Sequence, residues 1–317
     1  MPQSPDPTGD QERRVAFLGP AGTFTEQALH READLSAGEL MPCDSMVDVL
    51  FAVHEGPADF GVVPIENAIE GTVNATIDTL AMDVELLVQR ELLEPVAMNL
   101  LVAPGTSLDA IRGVMSIPVA TAQCRSWLRT NLADAEHLAA NSTAEAAALV
   151  AKQADPTLAA IGNERAAEVY GLEIAATGIE DHPENQTRFV VVGRDGIPAP
   201  TGHDKTSIVV YQRADEPGSL MSILQEFAAR SINLTLLLSR PTKTHLGDYC
   251  FVLDLEGHIA DEVVADALRA LKANQGGVKF LGSYPAAGAD GPDRRAAANT
   301  AHEDARSWIS GLRDQIG

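Results

Sequence analysis

The chain has 317 residues, of which 45% are apolar and 21% are charged, as in ordinary globular proteins of more than one domain. Its formal net charge of −22 argues against a partner that is a nucleic acid or an anionic membrane surface. Its three scattered cysteines exclude a disulfide framework and favour a reducing cytoplasm. Residues 1–13 are polar and are expected to be disordered, with no signal-peptide pattern visible in them; no apolar run is long enough to span a membrane.

The first predicted strand, 14–18, leads into a glycine turn and then a helix. Thr23 and Glu26 have the spacing of a capping box, so the helix is expected to begin there. A strand, a glycine turn and a helix N-terminus in this order can offer N–H groups to an anion. The turn matches no nucleotide-binding motif, and a plain tight turn is the alternative interpretation.

A second strand is predicted over 58–65, after a helix that begins with a Ser45/Asp48 capping box. It opens into a polar loop in which Gly71 and Thr72 are expected to start a helix. Because parallel strands end at a shared edge of a sheet, this loop and the glycine turn are expected to lie at one edge.

Strands and helices continue to alternate up to residue 178, which predicts the α/β class. Ser142 and Glu145 form a third capping box, and a single helix is expected to carry both Gln123 and Leu128. The remaining strands are predicted at 84–88, 94–102, 113–116, 138–140 and 158–162, and short helices at 108–111 and 164–170.

A polar loop at 182–186 then enters a short β-branched run. Thr187 lies at the mouth of this strand, where Thr187 and Phe189 share one face and Arg188 points the other way. A hydroxyl beside a flat ring, with a guanidinium nearby, suits a small anionic ring. The alternative interpretation is a threonine that merely starts a core strand.

A proline- and glycine-rich segment then separates a C-terminal region of different pattern. Its predicted order, βαββαβ, is that of the ferredoxin-like α+β fold. A loose tail with a short amphipathic helix near 307–312 is expected to follow. The predicted domain limits are 1–13 (disordered), 14–194 (the α/β domain), 195–204 (linker), 205–285 (the ferredoxin-like domain) and 286–317 (tail).

Several kinds of chemistry have no motif in this chain. Its eight histidines show no metal-ligand spacing, and there is no nucleophile elbow, kinase pattern or P-loop, so neither a metal nor another cofactor is expected. Cys124 lies on an apolar helix face and is interpreted as a structural thiol.

Several motifs, in order, resemble those of the prephenate dehydratase family: Phe17–Phe24 (FLGPAGTF), Val63–Asn67 (VPIEN), the triplet Thr187–Phe189, and the small C-terminal domain. The resemblance covers about Val15 to Pro285. It implies conversion of prephenate to phenylpyruvate with loss of carbon dioxide and water, in phenylalanine biosynthesis. It also implies two lobes like those of type II periplasmic binding proteins, an ACT domain that binds phenylalanine as feedback inhibitor, and a homodimer or homotetramer.

The resemblance also implies site residues. Thr187 is the catalytic candidate, facing the hydroxyl that leaves. The substrate-binding candidates are Thr23, Asn67, Gly71, Thr72, Ser116, Gln123, Thr143, Arg188 and Phe189. The candidates for binding phenylalanine are Gly218, Ser219, Leu220, Asn233, Leu234, Leu238, Ser239, Arg240 and Pro241.

Four positions depart from the family pattern, the mildest being Ser219, which replaces the Ala of the motif at 218–220. Ala68 stands where a Ser or Thr is usual, Ile117 where a His is frequent, and Leu238 where the regulatory motif has an acidic residue. Three other readings stay open. They are an arogenate dehydratase, a non-catalytic amino-acid sensor, and an assembly module built on ACT pairing.

Overall fold

The computed structural model describes residues 13–212, 216–242, 248–288 and 307–315. The chain forms two compact units. One contains the chain up to Thr76 together with Leu92–Phe189, and the other contains Ile77–Glu91 and the chain from Val190 onward. Nearly all of the N-terminus predicted to be disordered, and much of the predicted tail, lie outside the described residues. The domain limits given above stay a prediction.

Strands and helices alternate from Arg14 to Gly193. The first group is β1 (Arg14–Leu18), α1 (Phe24–His30), α2 (Ala33–Ser36), β2 (Glu39–Cys43), α3 (Met46–Glu55), β3 (Phe60–Asn67), β4 (Gly71–Thr72), α4 (Asn74–Met82) and β5 (Leu87–Pro95). The second group is β6 (Asn99–Val102), a 3-10 turn (Leu108–Ala110), β7 (Gly113–Ser116), α5 (Pro118–Gln123), α6 (Arg125–Asn131), β8 (Glu136–Ala139), α7 (Thr143–Gln153), β9 (Leu158–Gly162), α8 (Glu164–Tyr170), β10 (Glu173–Ala176) and β11 (Gln186–Gly193).

These strands form two sheets. The first has the order β2-β1-β3-β11-β5, with β4 paired to β3, and the second has the order β10-β6-β9-β7-β8. The pairs of β1 with β2 and β3, and of β7 with β8 and β9, are parallel. However, β6 runs antiparallel to both β9 and β10, and β4 antiparallel to β3. The sheets are therefore mixed, whereas the sequence pattern predicted parallel strands.

The two sheets define two lobes: lobe 1 carries the first sheet, and lobe 2 consists of β6 to β10. The chain crosses between the lobes twice, before β6 and after β10. The crossings are hydrogen-bonded to each other, Val96 N–H to the Asn185 carbonyl and Ile179 N–H to the Met98 carbonyl, each at 2.9 Å. The α/β class and the two-lobed arrangement are confirmed.

The C-terminal elements are β12 (Asp204–Tyr211), α9 (Ser219–Ala228), β13 (Leu234–Pro241), β14 (Tyr249–Glu256), α10 (Glu262–Asn274) and β15 (Gly277–Pro285). Their four strands form an antiparallel sheet of order β13-β14-β12-β15. Ile208, Val210, Phe227 and Leu253 belong to its buried core. The predicted ferredoxin-like order is confirmed, and a further helical segment covers 307–313.

Three local predictions were wrong, and two strands were missed. Gly71 and Thr72 do not start a helix; they form β4 opposite the end of β3, because the positive φ of Gly71, 80°, lets the chain turn back. The helix expected through Gln123 and Leu128 is broken at Cys124, which has φ −110° and ψ 14°. The strand predicted over 94–102 is divided between β5 and β6. Two strands with many exposed positions, β2 and β10, were not predicted.

Candidate active site

Thr23 is the N-cap of α1, as its spacing predicted. Its hydroxyl donates to the Leu18 carbonyl at 2.8 Å and accepts from the Glu26 N–H at 3.3 Å. The Gly22 N–H donates to the Glu26 carboxylate at 2.5 Å. Two N–H groups of the turn are therefore already bonded within lobe 1, which favours the alternative interpretation of a plain tight turn.

Thr187 is the first buried residue of β11, 9% exposed, and it meets the end of β3. The side-chain amide of Asn67 donates to the Thr187 hydroxyl oxygen at 2.9 Å. The Asn67 side-chain oxygen accepts from the backbone N–H groups of Ile69 and Glu70, each at 2.9 Å. Those two backbone donors fix which end of the amide faces Thr187.

The hairpin of β3 and β4 also contacts lobe 2. The Gln123 side-chain amide donates to the Glu70 carboxylate at 3.1 Å, and the Glu70 N–H is bonded to Asn67. Asn67, Glu70, Gln123 and Thr187 thus form one connected group across the two lobes. Sequence reasoning did not single out Glu70; its only signal was its place in the polar loop after Asn67.

Ser116 and Thr143 lie in lobe 2, at the end of β7 and the start of α7. The Ser116 hydroxyl donates to the Ile161 carbonyl at 3.1 Å, and its own carbonyl accepts from the Ala140 N–H at 3.0 Å. A cavity of about 360 Å³ opens beside Ser116 and is also lined by Arg125 and His137. Ser116 is thus at the wall of a cavity, while its hydroxyl is held by the backbone of β9.

Arg188 and Phe189 follow Thr187 along β11, and they are 7% and 2% exposed. Both are buried, as Thr187 is, so the two faces of β11 are covered at this point, and burial alone does not test the predicted alternation. Phe189 is a core side chain of this strand. Gly71 and Thr72 are half-buried in the hairpin, close in sequence to Asn67.

Cys124 lies at the junction of α5 and α6 and is fully buried. Burial, followed by the negative charges of Glu180 and Asp181, raises the pKa of its thiol to about 12. The thiol is therefore protonated at neutral pH and is not a nucleophile. This agrees with the structural role expected from the sequence.

Four of the nine regulatory candidates line a groove of about 470 Å³ on the C-terminal domain; Asn233, Leu234, Leu238, Arg240 and Pro241 do not. Gly218, Ser219 and Leu220, at the start of α9, line one side, and Ser239 of β13 lines another. Arg240 is the next residue of β13 and therefore points to the opposite face of the sheet. There its guanidinium makes two bonds to the carboxylate of Asp78, at 2.7 and 2.9 Å.

Neither a metal cluster nor a membrane segment is found among the described residues. No three His, Cys, Asp or Glu side chains in this part of the chain converge as a metal site would require. No helix among them is both long enough and apolar enough to cross a bilayer.

Comparison with known proteins gives a consistent result. Family models match at residues 15–197, described as prephenate dehydratase, and at 206–273, described as ACT domain. The prephenate dehydratase of Mycolicibacterium smegmatis is 44% identical, over 96% of this chain and 99% of that protein.

Solved structures agree on the fold. The prephenate dehydratase of Arthrobacter aurescens in complex with L-Phe is 38% identical, with a TM-score of 0.85 over 95% of this chain and 99% of that one. A protein described as a novel type of quorum-quenching acylase, GqqA, is 28% identical, with a TM-score of 0.77 over 87% of this chain and 98% of that one. The same architecture thus occurs under two described activities, so fold alone does not establish activity.

The fold and the connected polar group define a two-lobed α/β enzyme that carries a C-terminal ACT domain. Within that class, the family model and the 44% identity along nearly the whole chain identify the family. The chain belongs to the prephenate dehydratase family.

Proposed function

We propose that this enzyme converts prephenate to phenylpyruvate, carbon dioxide and water, with Thr187 facing the hydroxyl that leaves. The observation that carries the proposal is the 2.9 Å bond from the Asn67 amide to the Thr187 hydroxyl oxygen. Because that oxygen accepts from Asn67, the proton of Thr187 is free to donate elsewhere. Thr187 can then hydrogen-bond to the leaving oxygen of the substrate.

The proposed reaction requires few protein groups besides the Thr187 hydroxyl as a hydrogen-bond donor. The ring carboxylate leaves as carbon dioxide, and the electron pair of its bond to the ring enters the ring. The bond from the ring to its hydroxyl breaks as the ring becomes aromatic, and that oxygen takes a proton to leave as water. A threonine is a weak acid, so its contribution is to stabilise the charge that develops on the leaving oxygen.

The other candidates are proposed to bind and orient the substrate. Asn67 orients Thr187, and Gln123 brings lobe 2 to the same group through Glu70. Ser116 and Thr143 present polar groups from lobe 2. Arg188 and Phe189 support Thr187 from within β11, and Thr23, Gly71 and Thr72 shape the two turns of lobe 1.

We further propose that L-phenylalanine regulates the enzyme through the ACT domain. The relative solved in complex with L-Phe and the groove lined by Gly218, Ser219, Leu220 and Ser239 support this. Further residues that we propose for binding the effector are Asn233, Leu234, Leu238 and Pro241. Leu238, in place of the family's usual acidic residue, is proposed to weaken inhibition by L-phenylalanine.

Assembly and location are also proposals. Pairing of ACT domains into dimers, doubled into tetramers, is supported by the edge strand β13 with its exposed Leu237 and by the nearby exposed Met221. A cytoplasmic location is supported by cysteines that are all free: Cys43, Cys124 and Cys250.

The direct experiment is to incubate the pure protein with prephenate and measure phenylpyruvate, with arogenate tested in parallel. For Thr187→Ala we expect kcat to fall about 100-fold or more, because an oriented donor to the developing charge is lost. Thr187→Ser keeps the hydroxyl and is expected to stay within about tenfold of wild type. Absence of product from the wild type, or an unchanged rate in Thr187→Ala, contradicts the proposal. Turnover of arogenate alone would move the assignment to arogenate dehydratase.

A further inference from the structure

A single buried carboxylate ties the glycine turn of lobe 1 to α8 of lobe 2. Glu26 is 4% exposed. One of its oxygens accepts from Nε and Nη2 of Arg165, at 3.1 and 2.9 Å, and the other accepts from the Gly22 N–H. Arg165 belongs to α8, so this two-bond guanidinium contact joins the two lobes.

Two further contacts press the same turn onto α8. The Tyr170 hydroxyl donates to the Ala21 carbonyl at 2.7 Å. A Cβ added at Gly22, which has φ +88°, would lie 3.1 Å from the Cα of Ala166. Only glycine permits both this backbone conformation and this close approach. We call Glu26, Arg165 and Tyr170 the α1–α8 latch.

The latch joins the structural elements that hold the candidate site. The glycine turn follows β1, which pairs with β3, the strand that ends at Asn67. Helix α8 follows β9, which pairs with β7, the strand that ends at Ser116. A change in the distance between the turn and α8 therefore changes the separation of the two halves of the site.

We propose that Glu26 and Arg165 are positioning residues that hold the lobes at the separation that the substrate requires. This inference rests on the proposed dehydratase function. When only a fraction of the protein is in the binding-competent arrangement, the apparent Kd for its ligand is the intrinsic Kd divided by that fraction. Loss of the latch should therefore raise KM more than it lowers kcat, because the chemical groups at Thr187 are untouched.

The test compares Arg165→Met and Glu26→Gln with Glu168→Gln. Glu168 is the other carboxylate bound to Arg165, at 3.1 Å, but it lies on the same helix and its side chain is 60% exposed. We expect KM for prephenate to rise about tenfold in the first two variants, with kcat within about threefold of wild type. Glu168→Gln should match wild type, and Arg165→Lys should recover part of the loss, since lysine keeps the charge without the fork.

Other outcomes separate this inference from the proposed function. A variant that loses thermal stability or active fraction while its KM stays at the wild-type value overturns the latch. If the wild type turns over no prephenate, the dehydratase proposal fails, and hydrogen exchange at the Gly22 amide then decides on the latch. Faster exchange in Arg165→Met but not in Glu168→Gln supports the latch, and equal exchange in all three proteins overturns it.

Discussion

At the scale of single residues, the Asn67 side chain performs two tasks that can be separated. Its oxygen accepts from the N–H groups of Ile69 and Glu70, and its nitrogen donates to Thr187. Asn67→Asp keeps the acceptor for the loop but draws the Thr187 proton toward its carboxylate. We predict that Asn67→Asp loses about 100-fold in kcat with a nearly unchanged melting temperature. Asn67→Ala removes both the acceptor and the donor, so both kcat and the melting temperature should fall. Wild-type kcat in Asn67→Asp would mean that the direction of this bond does not matter.

Glu94 provides a pH prediction at the same scale. Its side chain is 1% exposed, and burial raises its pKa, against the opposing effects of the Gln27 hydrogen bond and the Arg31 charge. The folded state therefore binds this proton more tightly than the unfolded state does. The contribution to stability is fully present below the ordinary pKa of about 4.5 and is lost as pH rises through the higher folded value.

The matched measurement is the free energy of unfolding of wild type and Glu94→Gln between pH 4 and pH 8, by denaturant titration. We expect the wild type to lose stability relative to the glutamine variant as the pH rises. A difference that stays constant with pH would show that Glu94 has an ordinary pKa in the folded protein.

At the scale of elements, capping residues start several of the helices. The Ser142 hydroxyl accepts from the Glu145 N–H at 2.9 Å, at the start of α7. We predict that Ser142→Ala lowers the free energy of unfolding by about 1 kcal/mol. Ser107 is a suitable control, since it precedes a 3-10 turn without a side-chain capping bond. Equal losses in Ser142→Ala and Ser107→Ala, measured by denaturant titration, would contradict this role of the cap.

Elements with local signals were predictable from the sequence, and those fixed by distant partners were not. The capping boxes at Thr23, Ser45 and Ser142 were predicted, because a cap and its N–H lie within four residues. Strand β2 has no fully buried position and does not alternate, and Pro42 within it argues against a strand on sequence grounds. The break at Cys124 was missed because apolar spacing continues across it.

The candidate site follows the same rule. Thr187 could be placed at the mouth of a strand from its local pattern. Its partner Asn67 lies 120 residues earlier, and the link from Gln123 to Glu70 spans 53 residues. The latch between Glu26 and Arg165 spans 139 residues. No local period connects such pairs; they were reached either through the family resemblance or only in the folded structure.

At the scale of the whole molecule, the C-terminal compact unit includes a segment from far earlier in the chain. The guanidinium of Arg240 in β13 binds the carboxylate of Asp78 in α4 by two hydrogen bonds. Both side chains are largely buried: Arg240 is 21% exposed and Asp78 is 13% exposed. We predict that Asp78→Asn lowers the free energy of unfolding by roughly 2 kcal/mol, because the guanidinium is left beside a neutral amide. Arg269, whose side chain is 59% exposed, pairs with Glu262 and, at 3.4 Å, with Asp266; Arg269→Gln should cost less than about 1 kcal/mol. Equal losses in the two variants by denaturant titration would contradict this difference.

Residues 77–91 also determine where the chain can be cut into fragments that keep their packing. Residues 77–91 contact the ACT domain through more than the Asp78 pair: the Tyr211 hydroxyl donates to the Ala81 carbonyl at 2.6 Å, and Lys279 donates to the Val84 carbonyl at 2.6 Å. Lys205 binds Glu91 at 2.9 Å, and Gly282 lies against the backbone of Val88, where a Cβ would come within 2.5 Å of its carbonyl oxygen.

A fragment cut at the proline- and glycine-rich segment of 194–204 would therefore leave part of its own packing surface behind. We expect the isolated fragment 204–288 to melt at a lower temperature than the same fragment supplied with a synthetic peptide of residues 77–91. The peptide should restore stability by complementation, in proportion to its concentration. A melting temperature that does not respond to the peptide would mean that the C-terminal region folds as a module on its own. With complementation, the ACT domain of this enzyme becomes a two-piece protein that reassembles on mixing.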